Sequence, residues 1–482
     1  MKKIIIPILT MLLWQGATAQ TSLSLYYMDN VPQVSILNPA RQPRCNMYIA
    51  LPSVSFRGES NIKESELFQN VDGQWHSFLD NSFDYSDLNK RFKNGARLNT
   101  QSHINLAQIG IRKEGSSLSV GIAERIDASM SLPTAFVTML DKGFADGTTL
   151  DFSNMSMDLN IYREISLGYT IAATDQLTIG GRFKFLSGFA TLKTDISKFE
   201  ITSGREQWVF DVNSSVSMSF PLKINTAADG SFGIDSVEMK NLSGDDWIDK
   251  AFVGIKNPGV AIDFGAEYVI NENFKASAAI NDLGVILWTD DMNTIHSNCS
   301  YTFSGVDMDL EDFLSSGTDM SQMITEITDS VKNALKNTLS HDKFTTKTRP
   351  NLYIGGEYTP SYNMSIGLVS QTTFWKNCVT QNFNLSVNLK PYTFVGLMTG
   401  LNLDTKGCCT ADFGMSFNFG PFQYYLMTNG IPVAYRRLTV DGSKMPVPYN
   451  ICDFTVSTGL NIVLGAKGFK DKAMSNQSSS KF

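Results

Sequence analysis

Beyond Leu13, no stretch of this chain stays apolar for the roughly 18 residues a membrane helix needs, so no later helix spans a bilayer. Proline-rich and serine-rich spacers are missing too, and the texture does not change along the 482 residues, which argues against a string of separate domains. Histidine is scarce. His76, His103, His296 and His341 have no metal-ligand spacing to one another and no Cys-x-x-Cys pair to join them, which excludes the usual zinc sites. No Gly-x-Ser-x-Gly elbow supplies a nucleophile. His296 and Ser297 are adjacent, and adjacent residues point apart on a strand. The chain therefore reads as no enzyme and calls for no cofactor. Basic patches with interleaved aromatics are absent and the formal net charge is −7, which argues against nucleic acid. The acidic pairs Asp245-Asp246 and Asp290-Asp291 lack the spaced oxygen ligands of a dedicated calcium loop and read as solvated turns.

The first residues have a different character. Lys2 and Lys3 precede an apolar run from Ile4 to Leu13, and Ala17-Thr18-Ala19 supplies small residues for a signal peptidase. This is the pattern of a secretory signal over residues 1–19, with cleavage expected between Ala19 and Gln20. No cysteine follows that site, so a lipid anchor is not expected. Mean hydropathy is −0.10, the value of a soluble chain. A transmembrane barrel also gives such a value, because only alternate residues face lipid.

The dominant signal is alternation. Phe383, Leu385, Val387 and Leu389 alternate with Asn384, Ser386, Asn388 and Lys390. Val260, Ile262, Phe264, Ala266 and Tyr268 alternate with Ala261, Asp263, Gly265 and Glu267. Leu177 to Phe185 alternates against Thr178, Gly180, Arg182 and Lys184, and Phe454 to Leu464 repeats the pattern near the end. Each is a strand with one apolar and one polar face. A large soluble β-protein alternates as well. The signal peptide and the spread of strands over almost the whole chain select a transmembrane antiparallel β-barrel, with lipid outside and a polar lumen.

Connection lengths give the sidedness. Short turns are expected at Lys113–Ser116, Thr174–Gln176, Asn271–Asn273, Pro360–Asn363, Lys390–Tyr392 and Gly420–Pro421. Long connections are expected at Arg57–Ser102, Ala128–Asn160, Val285–Pro350 and Met427–Cys452. Short turns belong to the periplasmic end and long loops to the outside, and the count comes to about 14 to 16 strands. The weakest strands are Asn46–Phe56, which contains Pro52, and Phe232–Lys240. Helical loop segments are expected at Thr134–Leu140, Asp245–Phe252 and Asp319–Leu339, the last with Met323, Ile324, Ile327, Val331, Ala334, Leu335 and Leu339 on one stripe. The expected division is signal 1–19, N-terminal segment 20–44, barrel 45–466 and periplasmic tail 467–482.

Several short motifs carry a family resemblance: Asn38-Pro39-Ala40, Asn281-Asp282-Leu283-Gly284, Gly355-Gly356-Glu357-Tyr358, Ser386 to Pro391, and Asn418 to Phe422. Together they resemble a Bacteroidetes family of outer-membrane proteins of unknown function. That family is similar in turn to the FadL-like barrels, which include the long-chain fatty-acid transporter and the PorV shuttle protein of type IX secretion. The resemblance implies that residues 20–44 form a plug or hatch in the lumen, with Asn38, Pro39 and Ala40 in its turn. It implies a place in the outer membrane, with lipid around the barrel and the barrel-assembly machinery as a partner in biogenesis. Two functions follow from it: passage of a small hydrophobic molecule, as in FadL, or a non-transporting scaffold that presents its loops to a partner, as in PorV.

Six cysteines occur, Cys45, Cys299, Cys378, Cys408, Cys409 and Cys452. An exported protein meets an oxidising compartment. The connections holding Cys378 and Cys408-Cys409 fall on the same side and flank one hairpin. The expectation is a bridge from Cys378 to Cys408 or Cys409, with the other vicinal cysteine free or paired to Cys452.

Overall fold

The computed structural model describes residues 23–465 apart from 72–73, 78–82, 221, 227–233, 240–255, 304–336, 362, 377, 393, 441–442 and 450. The signal sequence with Ala19 and Gln20, the tail, the Asp245–Phe252 segment and almost all of the Asp319–Leu339 segment lie outside these residues.

Alternating sequence becomes 14 long strands. They are β1 (Met47–Ser60), β2 (Ala96–Lys113), β3 (Ser116–Leu132), β4 (Ser156–Ala172), β5 (Leu177–Ser203), β6 (Asn257–Val269), β7 (Phe274–Trp288), β8 (Asn351–Ser361), β9 (Met364–Phe374), β10 (Val379–Tyr392), β11 (Val395–Asp404), β12 (Cys409–Phe419), β13 (Phe422–Pro432) and β14 (Asp453–Leu464). Each pairs antiparallel with its neighbours in chain order. The last pairs with the first: Met47 stands opposite Leu464 and Ala50 opposite Asn461. The sheet is thus a closed barrel with an even strand count, within the expected range and without open edges in its wall.

The alternation sorts as expected. On β10, Phe383, Leu385 and Leu389 are exposed, while Asn382, Asn384, Ser386 and Asn388 are buried. On β6, Val260, Ile262 and Phe264 face out while Asp263 is fully enclosed. Arg182 and Lys184 on β5 also point inward. Exposed apolar side chains recur on every face of the wall, from Ile109 and Leu167 to Ile354, Leu401 and Leu460. A continuous apolar exterior around a polar interior is the inverse of a water-soluble sandwich and the arrangement that lipid requires. Near the short-turn end the exterior is aromatic, with Tyr169, Tyr268, Phe274, Tyr358, Tyr392, Phe394, Phe419 and Phe422 exposed. Phe274 and Tyr358 stack at 4.6 Å. Such girdles form at membrane–water boundaries.

The two classes of connection fall on opposite ends. Strands turn tightly after β2, β4, β6, β8, β10 and β12, and both barrel termini lie at that end, where Met47 meets Leu464. The long connections follow β1, β3, β5, β7 and β13 at the other end, where two short ones also occur after β9 and β11. The Lys390–Tyr392 turn forms slightly later than expected, because Tyr392 pairs with Val395 and β10 runs through Pro391.

Three details correct the sequence reading. Pro52 does not break β1: the register to β2 skips Leu51 and Pro52, so the missing N–H falls at an irregularity. The Phe232–Lys240 strand is no barrel strand. Ile234–Met239 pairs only with Leu222–Thr226 in a separate hairpin of a long connection. Leu339 is not helical, because Asn337–Ser340 forms a short strand on Met292–Phe303, pairing Leu339 with Ile295. The Thr134 segment is a helix, Thr134–Lys142, ended by Gly143 at φ 63°. β5 outruns the wall, and its residues from Thr191 to Ser203 pair with Trp208–Ser219, extending a ribbon beyond the mouth.

A charge on the outer face tests this sidedness. Leu385→Arg at the middle of β10 is expected to cost about 2–4 kcal/mol in folding into lipid vesicles. Ser386→Ala, one residue on and facing in, is expected to cost far less. Equal effects would refute the assignment of faces.

Candidate functional site

Two features occupy the barrel's interior: the N-terminal segment and a set of charged side chains paired across the lumen. The segment begins with a single 3-10 turn, Leu23–Tyr27, of which all five residues are buried. A second short helix, Val34–Leu37, ends at Asn38, whose backbone is extended at φ −142°, ψ 110°. The following Pro39 disfavours helical backbone at that position. The Asn38 carboxamide closes the turn: Oδ1 accepts the Ala40 N–H at 2.9 Å and Nδ2 donates to the Tyr26 hydroxyl at 3.0 Å. Asn38 has no exposed surface.

Inner-face groups around the barrel hold this segment. The Thr170 hydroxyl donates to the Pro39 carbonyl at 2.6 Å, and Arg182 donates to the Ser35 carbonyl at 2.8 Å. Asn281 donates to the Ile36 and Leu37 carbonyls. Gln33 and Asn461 exchange two amide hydrogen bonds at 2.6 and 3.0 Å. Asn30 reaches Ser416, Ser24 reaches Asn429, and the Tyr27 hydroxyl donates to the Leu368 carbonyl. The glycines of the wall make room. A Cβ on Gly265 would overlap the Asn38 carboxamide and lie 2.9 Å from Pro39, and one on Gly180 would overlap the Pro39 carbonyl.

Apolar contact adds to the polar bonds. Leu25, Tyr26, Tyr27, Met28, Val31 and Leu37 pack on Ala279, Tyr353, Val369, Met398, Tyr425 and Met427. These last six are inward-facing apolar residues in a wall whose inner face is otherwise mostly polar. They mark where the segment docks, while Tyr162, Leu186, Ala261, Ile286 and Trp288 form a separate inward apolar cluster.

At the short-turn end Arg41 is the anchor. Its guanidinium meets Asp29 at 2.8 Å, Glu357 at 2.8 Å and Glu267 at 3.6 Å, and it lies over the Tyr27 ring at 4.8 Å. Arg44 joins Asp29 and Lys275 joins Glu267. Glu357 comes from the Gly355-Gly356-Glu357-Tyr358 motif. A buried cation of this kind persists only with its anions in place.

A second cluster crosses the barrel from β3 to β7. Arg125 and Lys184 both bind Asp282, at 2.7 and 2.5 Å, while Lys184 also meets Asp263 at 2.9 Å and Glu164 at 3.5 Å. Asp282 reaches this position through a bulge. The register slips between Ile262 and Phe264, so β7 carries an extra residue. Asp282 takes φ 60° and its N–H donates to Asp263 at 2.7 Å. The bulge turns both Asn281 and Asp282 inward, where strict alternation would show one of them to lipid. The Asn-Asp-Leu-Gly motif is its sequence signal, although the sequence alone gave Asp282 no charge role.

The disulfide joins Cys408 to Cys452, with Cα atoms 6.0 Å apart. Cys378 and Cys409 are free, so the expected bridge from Cys378 to Cys408 or Cys409 is not formed. Cys409 opens β12 and alternates to the other face from Cys408. Cys408 and Cys452 are both buried at the mouth end, above β12 and β14. Burial raises the Cys378 thiol pKa above its usual value. His296 is exposed and Ser297 is its strand neighbour on Met292–Phe303, so the two do not converge.

Cavities border the filled lumen. One, of about 20 Å³, lies at the wall between the segment (Ser35, Pro39, Pro43) and strands β2 to β5, and includes the outward-facing Ile111 and Leu118. Another, of about 760 Å³, opens at the long-loop end. Lys93, Arg97, Asp151, Asp195 and Lys376 line it, together with hydroxyls such as Thr134, Thr138 and Ser153.

A closed antiparallel barrel with an apolar exterior and a polar, occupied lumen defines an outer-membrane-type β-barrel. The chain belongs to the family of unknown function DUF5723, whose model matches residues 39–429. No curated protein matches it. Among solved structures it is similar to the Ralstonia pickettii toluene transporter TbuX, at 9% identity and TM-score 0.42, covering 90% of this chain and 94% of that one. It is also similar to the CymD monoaromatic hydrocarbon channel, at 9% identity and TM-score 0.41, covering 90% and 94%. A Pseudomonas aeruginosa FadL homologue shows 8% identity and TM-score 0.42, covering 91% and 94%.

The docking of the segment can be broken without touching the outer wall. Gly265→Leu is expected to cost about 1–3 kcal/mol of docking by overpacking. Hydrogen exchange should accelerate at residues 34–41 while β10 to β13 keep their protection. Unchanged exchange at 34–41 would show that the glycine is not needed.

Proposed function

We propose that this protein is an outer-membrane barrel kept closed by its own N-terminal segment, with a loop end that binds a polar partner. The observation that carries this reading is the contrast between the two ends. The lumen is filled by residues 23–44 and by charged side chains paired across it. The large cavity faces the loops and is lined mainly by charges and hydroxyls, with Leu132, Leu150, Met155 and Ile196 among them. The non-transporting, presenting role therefore fits the geometry best.

A second reading is passage of a small hydrophobic molecule beside the plug. The wall cavity between Pro39, Pro43, Ile111 and Leu118 favours it, because it touches both lumen and exterior. At its present size it holds about one water. Passage by this route requires the segment to move.

Planar-bilayer conductance and native mass spectrometry test these readings. The intact protein is expected to be electrically silent, and deletion of residues 20–44 to leave a folded barrel that conducts. A folded deletion variant as silent as the intact protein would count against a plug. Native mass spectra of the intact protein are expected to show no retained lipid or detergent. A stoichiometric apolar ligand would instead select passage.

A further inference from the structure

Charge balance inside the barrel singles out one place. In the cluster at Arg41, three cations (Arg41, Arg44, Lys275) pair with three carboxylates (Asp29, Glu267, Glu357), and Lys390 lies beside them. In the central cluster, Arg125, Arg182 and Lys184 meet Glu164, Asp263 and Asp282, again three and three. At the mouth, Arg57 and Lys406 pair with Glu59 and Asp404. Three buried carboxylates form no ion pair among the described residues: Asp127, hydrogen-bonded by Gln101 and Tyr162, and the neighbouring pair Asp412 and Asp453. Asp412 and Asp453 are 1% and 5% exposed.

Their surroundings are neutral oxygen and amide groups. Asp412 accepts one oxygen's hydrogen bonds from the carboxamides of Asn384 and Asn429, and Asp453 accepts from Asn402 at 2.7 Å. The strand register puts Asn402 opposite both Asn384 and Thr410, and Thr410 shares the inner face with Asp412 two residues on. Four buried oxygens of this group have no hydrogen-bond partner: Asp412 Oδ1, Asn384 Oδ1, Asn402 Oδ1 and Thr410 Oγ1. All four of their residues are at least nine-tenths buried.

Two enclosed carboxylates without ion pairs, with only the shared Arg57 near Asp453, cost several kcal/mol each unless something neutralises them. Amide donors soften that cost without removing the charge. Thr410 Oγ1 and Asp412 Oδ1, left without partners in the same patch, point to a species that accepts electron pairs from several groups at once. A divalent cation matches a surplus of two negative charges. The donor set is all oxygen, which suits a hard cation, and its irregular placement on a barrel wall suits calcium better than the strict octahedron of magnesium. The three asparagines now turn their NH₂ groups to the carboxylates. Rotation of a carboxamide brings its carbonyl oxygen round in place of the donor. We propose that Asp412 and Asp453, with Asn384, Asn402 and Thr410, form a calcium site inside the mouth of the barrel, beneath the Cys408–Cys452 bridge. Calcium there ties β10, β11, β12 and β14 together at the mouth.

The test is calcium titration of the full-length, chelator-treated protein in detergent micelles, by calorimetry and thermal unfolding. The expected result is one saturable site and a melting temperature that rises with calcium. Asp412→Asn is expected to weaken binding by about 100-fold or more, at or above the upper range for loss of an outer-shell partner. Thr410→Val keeps the charge and removes one neutral ligand. It is expected to weaken binding by about 10-fold, and it serves if the aspartate variant does not fold. Absence of calcium binding by the unmodified protein overturns the proposal, as does affinity unchanged in Asp412→Asn and Thr410→Val. An Asp412→Asn protein that melts higher than its parent in the absence of any calcium response would mark a proton shared by the two acids, and would overturn it as well.

Discussion

Closure of the sheet is the constraint on which everything else rests. Hydrocarbon offers no hydrogen bonds, so every backbone N–H and C=O in the wall must be paired within the protein. Fourteen strands achieve this only because β14 returns to β1, Met47 against Leu464. Closure separates two surfaces that an open sheet would share with solvent. The outer one is left with Ile, Leu, Val and Phe side chains facing lipid. The inner one must satisfy every asparagine, serine and charge from what the lumen contains.

The lumen meets that demand in layers. Near the short-turn end, the chain's own N-terminal segment supplies donors and acceptors, and Arg41 supplies a cation to carboxylates from β6 and β8. In the middle, side chains from β3, β4, β5, β6 and β7 neutralise one another. Toward the mouth the pairing runs out, and oxygens outnumber the groups available to them. The docking of the segment depends on small residues in the wall, since Gly180 and Gly265 are the places where Asn38 and Pro39 approach too closely for a side chain. Rigidity of the wall and occupancy of the lumen are thus one property seen from two sides.

Much of this was legible in the residues. A period of two exposes itself directly, because a one-residue slip would turn Phe383 inward and Asn384 to lipid. Short and long connections are equally plain, because tight turns concentrate Gly, Asn and Pro. Asn38-Pro39 favours an extended backbone through a local steric clash, and the structure has it. The misreadings have a common origin. Phe232–Lys240 alternates like a wall strand and pairs instead in a loop hairpin, and alternation does not say which partner a strand finds. Cys378 and Cys408 share an end of the barrel, but the bridge goes to Cys452. Facing direction and position across β13 decide that pairing, and sequence distance does not.

The sequence by itself determined the strands, their two faces, their order and the end at which the loops gather, because each follows from residues within a few positions of one another. Only the tertiary structure decided what fills the barrel. Arg41 finds Glu357 across 316 positions, and Gln33 finds Asn461 across 428. Asp282 turns inward because a single extra residue bulges β7 opposite Asp263. The surplus of Asp412 and Asp453 is likewise invisible in a composition with 40 basic and 47 acidic residues. Charge balance within a closed barrel is a property of who faces whom across the lumen, and that is set by closure of the ring.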